Sequence, residues 1–267
     1  MSETPAVLTE RDGHVLVVTL NRPEARNAVN GDLTLGLGSA LEQADADIEI
    51  RVVVLTGAGD QSFCAGADLK AISRGESLNP PGTEAWGFAG MVQHPIAKPV
   101  IAAVNGNALG GGTELVLASD LAVASSSASF GLPEVKRGLI AAAGGVLRLP
   151  EQIPPKIAMQ LILTGDPITA VDALRWGLVN AVVEPDHVLP TAMELAAKIA
   201  ANAPLSVQYS KRVAAGILGD PGTYAVPSEE AAWEASNAAM MAVFTSEDAM
   251  EGPIAFAEKR EPQWKGR

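Results

Sequence analysis

Two glycine-rich stretches and two glutamates are the residues of this chain best suited to chemistry. Gly110-Gly111-Gly112 lies in VIAAVNGNALGGGTELVLASD (100–120), and Ala65-Gly66-Ala67-Asp68 lies in GAGDQSFCAGADL (57–69). Glycine lets backbone approach a ligand closely and frees N–H groups to point at it. After the triplet, TELVLAS reads as a helix start with Thr113 or a glycine near the cap, and N–H groups at a helix start favour negative charge. Two N–H groups from different turns, converging on one oxygen, make an oxyanion hole. The alternative is that each is only a tight strand-to-helix turn. Glu114 stands in the first turn of that helix among apolar residues, and Glu134 follows Pro133 in FGLPEV. Two carboxylates in one poorly solvated pocket split their proton affinities. One can then donate a proton while the other accepts one from water. A glutamate in a first helical turn is also an ordinary stabilising choice. It is the pairing with the glycine turns that points to acid–base chemistry.

Other chemistries find little support. Neither glycine turn is followed by Gly-Lys-Ser/Thr, and neither has the context of a dinucleotide fingerprint. His14, His94 and His187 have no metal-ligand spacing, and no Cys/His cluster or G-x-S-x-G elbow occurs, so no metal site is expected. The single cysteine, Cys64, excludes an internal disulfide and reads as a small core residue in a reducing compartment. A formal charge of −12 argues against nucleic acid or an anionic membrane as partner. An anionic small ligand needs only local cations, for which Arg22, Arg26, Lys70 and Lys259 are candidates.

These groups must be positioned by a sizeable scaffold. With 267 residues, 48% of them hydrophobic, the chain can bury a full core. MSETPAV lacks the features of a signal peptide, and no run reaches the roughly 20 apolar residues that span a bilayer. A cytoplasmic protein is therefore expected. Strands are predicted at 14–20, 51–57 and 98–106, with 51–57 nearly continuously apolar as expected for a strand covered on both faces. A helix is predicted over 31–46, and residues 73–90, with Pro80-Pro81-Gly82, read as a loop or short irregular helix. Residues 120–135 read as strand, turn and short strand, and 136–154 end in a short helix stopped by Pro150. Helices follow at 155–168, with Gly165 at its C-terminal side, and within 169–183, where Gly177 follows the helix and a strand comes next. Beyond Pro190 the segments TAMELAAKIAANA, LSVQYSKRVAAGI and SEEAAWEASNAAMMAVF read as helices. The order is strand–helix units to about residue 185, then helices, without a clean sequence repeat.

Several stretches together resemble the enoyl-CoA hydratase (crotonase) superfamily: NRPEARNAVN (21–30), SFCAGADLKA (62–71), IAAVNGNALGGGTELVLASD (101–120), FGLPEVKRGL (130–139) and LTGDPITAVDALRWGLVN (163–180). The C-terminal EDAMEGPIAFAEKREPQWKGR (247–267) matches as well. The resemblance implies an α/β fold, the crotonase (ClpP-like) spiral of ββα units, with a C-terminal helical trimerisation region. It divides the chain into a spiral core with the acyl-CoA site, 1–195, and a helical oligomerisation region, 196–267. It implies an acyl-CoA thioester as substrate, no further cofactor, and a homotrimer or dimer of trimers. The family's oxyanion-hole N–H groups fall on Ala67 and Gly111. Its hydratase glutamates fall on Glu114, whose counterpart activates water for attack at Cβ, and Glu134, whose counterpart delivers a proton to Cα. Both being present implies hydration of a 2-enoyl-CoA or the reverse dehydration.

The resemblance also implies a CoA path along Arg26, Ala28, Ala65, Asp68 and Leu69, bordered by Gly66 and Lys70. Gly110, Pro133 and Ala142 fall at the reacting end, and Phe256 and Lys259 reach the ligand from the C-terminal region of this or a neighbouring subunit. One departure stands out. Typical short-chain hydratases carry Pro-Gly-Ala-Gly-Gly where this chain has Ala141-Ala142-Ala143-Gly144-Gly145, so Ala142 adds a methyl group beside the expected water. ALRWGLVN and the C-terminal tail look especially like carnitinyl-CoA dehydratases. A trimethylammonium substrate wants a carboxylate or an aromatic cage, to which Trp86 and Phe88 are candidates.

Overall fold

The computed structural model of the chain describes residues 5–215, 241, 244–245 and 247–260. The predicted helix SEEAAWEASNAAMMAVF lies outside them apart from Met241 and Phe244. Apolar, β-branched runs build the larger of two sheets. It contains β1 (Val7–Asp12), β2 (Val15–Leu20), β3 (Val52–Gly57), β5 (Val100–Val104), β7 (Leu121–Ser125) and β10 (Ala181–Val183), in that spatial order. β1 and β2 form an antiparallel hairpin turning at Gly13 (φ +56°), and the other pairings are parallel. β3 and β5 are buried at every residue, as their unbroken apolar character predicts.

The smaller sheet sits beside the first. It is made of β4 (Ser62–Cys64), β6 (Asn107–Leu109), β8 (Ser129–Gly131) and β9 (Ile168–Thr169). Three successive stretches of chain repeat one path. A long strand enters the large sheet, a three-residue strand enters the small sheet, and a helical turn follows. The turns are α2 (Leu69–Ser73), α3 (Gly111–Ala118) and a 3-10 turn at Pro133–Arg137. The sequence shows no repeat because the repeat is one of path. The short strands β4 and β6, like the exposed β1, are not distinguished by sequence from turn and lead-in residues, since three residues carry too little alternation to read.

Alternate residues of the large sheet serve two cores. Leu16, Val18, Leu20, Val53, Leu55, Ala102 and Val104 pack with α1 (Gly31–Ala46) and the site helices. Val15, Val52, Val54, Ile101 and Ala103 pack under Val188, Ala192, Ala196 and Ala200 of α7 (Val188–Ala200). That four-residue spacing puts one helix face on the sheet, and α7 carries the chain through position 195 without a break. α1 matches its predicted range, with Asn30 accepting the Leu33 N–H at 3.0 Å as N-cap.

α4 (Gly145–Gln152) corrects the expectation that Pro150 ends its helix: the helix runs two residues further, and the Ile153 N–H closes onto Leu149. α5 (Pro155–Thr164) stops short of the predicted end at 168 because Gly165 turns left-handed and closes it, and α6 (Ala170–Trp176) ends in the same way at Gly177. α8 (Pro204–Ala214) and α9 (Glu247–Glu258) complete the described helices. Among the described residues no helix is long and apolar enough to cross a membrane.

Candidate active site

β4, β6 and β8 are neighbouring parallel strands, so the segments leaving their C-terminal ends emerge side by side. Those segments carry Ala67, Gly111 and Glu134. Loops at the carboxyl ends of parallel strands are where such sheets bind ligands, and the topology assembles this group from positions far apart in sequence.

The two glycine turns touch. A methyl group at Gly66 (φ +86°) would stand 3.0 Å from the Gly111 nitrogen, and one at Gly111 would stand 3.3 Å from the Gly66 Cα. Val29 pairs with the first turn by donating to the Gly66 carbonyl at 2.8 Å and accepting from the Asp68 N–H at 2.9 Å. That bridge leaves the intervening Ala67 N–H out. Gly111 is the first residue of α3, where an N–H has no partner within its helix. Gly112 allows the close seating of this helix, since a Cβ there would lie 2.0 Å from the Cys64 carbonyl oxygen.

Glu114 and Glu134 both reach this place. Glu114 is 3% exposed, and its Oε1 accepts the Gly145 N–H at 2.8 Å. A Cβ at Gly145 would sit 3.0 Å from that oxygen, which ties this glycine to the carboxyl it holds. Burial pushes the Glu114 carboxyl well above the usual carboxylate range; the neighbouring Glu134 charge raises it further, and the Gly145 and Ala143 N–H groups oppose the shift. Glu134 lies on the Pro133–Arg137 turn with Oε1 2.9 Å from where a Gly110 Cβ would be, beside the glycine triplet. Burial raises its carboxyl too, opposed by its own backbone N–H. Its Oε2 is buried and accepts no hydrogen bond. The pair is thus poorly solvated and mutually repelling, which favours a state with one proton between them.

The remaining candidates divide into three groups. Ala28 precedes Val29 and is buried, and the Ala65 N–H bonds to the Arg26 carbonyl at 3.1 Å. Arg26 (φ +55°) and Lys70 are exposed, and Leu69 opens α2. The Asp68 carboxylate is already engaged: it accepts from Arg22 at 3.0 Å and from the Lys70 and Ala71 N–H groups at 3.1 Å, capping α2. Although its burial opposes ionisation, those donors hold Asp68 below its ordinary range. Pro133 opens the Glu134 turn, and Ala142 lies half-buried in the bend before α4. Phe256 and Lys259 belong to the α9 end. α9 packs on α2 and on the Pro133–Arg137 turn of this same chain.

Some residues of the site are not evident from sequence. Asn27, fully buried with φ +54°, accepts the Arg22 N–H and donates to the Ala58 and Ser62 carbonyls, so it fixes where β4 begins. Its side-chain amide and its tolerance of a left-handed backbone are a turn signal, hidden inside NRPEARNAVN. Phe88 lies with its ring edge 2.3 Å from where a Gly111 Cβ would be, so an aromatic side chain borders the glycine triplet. Trp86 instead stacks on His94 (centroids 5.1 Å apart, planes within 4°) and covers Gly38 of α1. It faces α1, so of these two aromatic side chains only Phe88 borders the glycine triplet. Burial pushes the Cys64 thiol up to about 12, consistent with a core residue. Among the described residues no group of three His, Cys, Asp or Glu side chains could hold a metal ion.

The comparisons agree with this geometry. The profile of the Enoyl-CoA hydratase/isomerase family matches residues 10–267. A carnitinyl-CoA dehydratase of Salmonella arizonae is 44% identical over 263 residues, covering 96% of this chain and 97% of that protein. The crystal structure of a carnitinyl-CoA hydratase from Mycobacterium avium is 59% identical, with a TM-score of 0.95 over 99% of this chain and 100% of that one. An enoyl-CoA hydratase from Mycobacterium tuberculosis H37Rv is 47% identical, with a TM-score of 0.75 over 99% of this chain and 100% of that one. The architecture is therefore the crotonase fold, and the chain belongs to the enoyl-CoA hydratase/isomerase family.

Proposed function

We propose that this protein adds water reversibly across the 2,3 double bond of an enoyl-CoA thioester, as a carbon–oxygen lyase. The observation that carries this reading is the pair of buried, proton-retaining glutamates beside two abutting glycine turns. The thioester oxygen accepts from the Ala67 and Gly111 N–H groups, which stabilise the enolate-like charge that develops there. Glu114 takes a proton from water as its oxygen attacks Cβ, and Glu134 gives a proton to Cα. The sum is one water added, and the glutamates exchange their proton to reset the site. No step needs a metal or a redox cofactor. CoA lies along the rim of Arg26, Ala28, Ala65 and Lys70, with Phe256 and Lys259 closing from α9.

A second reading narrows the substrate: dehydration of carnitinyl-CoA, or hydration of crotonobetainyl-CoA. It is favoured by relatives bearing that name over nearly their whole length. Glu114→Gln and Glu134→Gln should each lower hydration of crotonyl-CoA by about a hundred- to ten-thousand-fold, followed by the ultraviolet absorbance of the enoyl thioester, with CoA affinity kept. Hydration at the wild-type rate by both variants would overturn the mechanism. A substrate panel including crotonobetainyl-CoA separates the two readings. The proposal extends to a cytoplasmic homotrimer or dimer of trimers built through residues 196–267, which light scattering checks.

A further inference from the structure

The two glutamates are held in different ways. Glu114 is anchored by a neighbouring backbone donor, the Gly145 N–H. The Glu134 carboxyl takes its own backbone N–H, and its Oε2 has no partner. Where this side chain points is therefore governed by the placement of the Pro133–Arg137 turn. That turn is only five residues long and of 3-10 form, which has poorer hydrogen-bond geometry than an α-helix. It needs support from outside itself.

The support comes from two directions. At the end of α5, Gly165 lies against the turn: a Cβ there would be 3.2 Å from the Pro133 Cα, and Lys136 pairs with Asp166 at 2.5 Å. From the other side comes α9. A Cβ at Gly252 would stand 1.7 Å from the Arg137 carbonyl oxygen and 2.6 Å from its carbon, a separation only glycine permits. One turn further on, the Arg137 guanidinium lies 5.0 Å from the centre of the Phe256 ring, in cation–π contact. The same helix packs on α2, which follows directly from the Ala67 turn. α9 thus spans the segments carrying the acid and one oxyanion donor.

We infer that α9 is a clamp that positions Glu134, with Gly252 and Phe256 acting through Arg137 as positioning residues for protonation at Cα. This deepens the hydration reading and rests on it for its catalytic consequence. Gly252 is not one of the groups that touch substrate. An added methyl group must push the Arg137 carbonyl, and with it the turn, away from α9.

The test is a double-mutant comparison in the full chain. Gly252→Ala should lower kcat for crotonyl-CoA about tenfold or more while KM stays within about threefold. In the Glu134→Gln background the same change should cost nothing further, because the group it misplaces is already gone. Equal losses in both backgrounds would overturn the clamp. Arg137→Ala and Phe256→Leu remove the cation–π contact without forcing the helix off. They keep the question decidable if Gly252→Ala does not fold, and should lower kcat by about threefold with the same non-additivity. Carbon-13 NMR titration of the Glu134 carboxyl reads the clamp without turnover. A titration unmoved by Arg137→Ala and Phe256→Leu would overturn the proposal. A wild-type protein that hydrates no enoyl-CoA would overturn the hydration reading alone, and the titration would still decide the clamp.

Discussion

At the scale of the residue, the proposed chemistry rests on two carboxyls that resist ionisation. Burial holds both above the ordinary carboxylate value of 4.5, and the neighbouring Glu134 charge raises Glu114 further. Hydration needs one of them charged and the other protonated. The rate should therefore follow a bell whose limbs both lie above that value, and kcat against pH measures it. Stability carries the same sign. As pH rises through the ordinary value, glutamates of the unfolded chain ionise while the folded Glu114 stays protonated. Folding stability is then lost until the folded-state value is passed. Glu114→Gln cannot ionise, and its amide oxygen can still accept from Gly145. The variant should melt above the wild type near pH 8 and close to it near about pH 4, with each kcal/mol recovered worth about 2–4 °C in a chain of this size. A constant difference across that range would contradict the assignment.

At the scale of the element, glycine decides how closely α3 seats on the small sheet. Gly112 lets the helix start against the Cys64 carbonyl, and Gly111 and Glu114 take their places from that seating. Gly112→Ala must push the helix away from β4, since the obstacle is backbone and cannot rotate aside. It should cost about 1–3 kcal/mol of stability in urea unfolding and lower hydration by separating the two oxyanion donors. α3 and its glycine triplet are legible in sequence, as are α1 and the apolar strands β3 and β5. Their signals are dense and local: three glycines, apolar residues at helical spacing, nearly continuous apolar runs. β4, β6 and the 3-10 turns are not legible, because pairing with neighbours creates them and three residues have no period of their own.

At the scale of the whole molecule, one buried charge ties the layers together. Lys98, 4% exposed at the entrance to β5, donates to the carbonyls of Ala44, Asp45 and Asp47 at the end of α1, at 2.5, 3.0 and 2.5 Å. Its own carbonyl accepts from Lys211 of α8 at 2.9 Å, and Lys211 also pairs with Asp120 at 2.7 Å. A sequence reading passes over this lysine, because its partners are main-chain oxygens more than fifty positions away. Lys98→Met keeps the aliphatic stem and removes the donor, so it should destabilise the fold by about 1.5–3 kcal/mol, seen as a lower urea midpoint with hydration retained below it.

The sequence by itself determined which groups could do the work. Glu114, Glu134 and the two glycine turns are set apart by residue type, because apolar surroundings make a carboxylate conspicuous and consecutive glycines mark close backbone approach. Only the tertiary structure decided that they form one site. Three short parallel strands set the ends of distant segments side by side, burial changes the proton affinity of the glutamates, and α9 closes on the turn beneath Glu134. Those are properties of neighbours in space, and the 20 positions between Glu114 and Glu134 or the 115 between Arg137 and Gly252 carry no local trace of them.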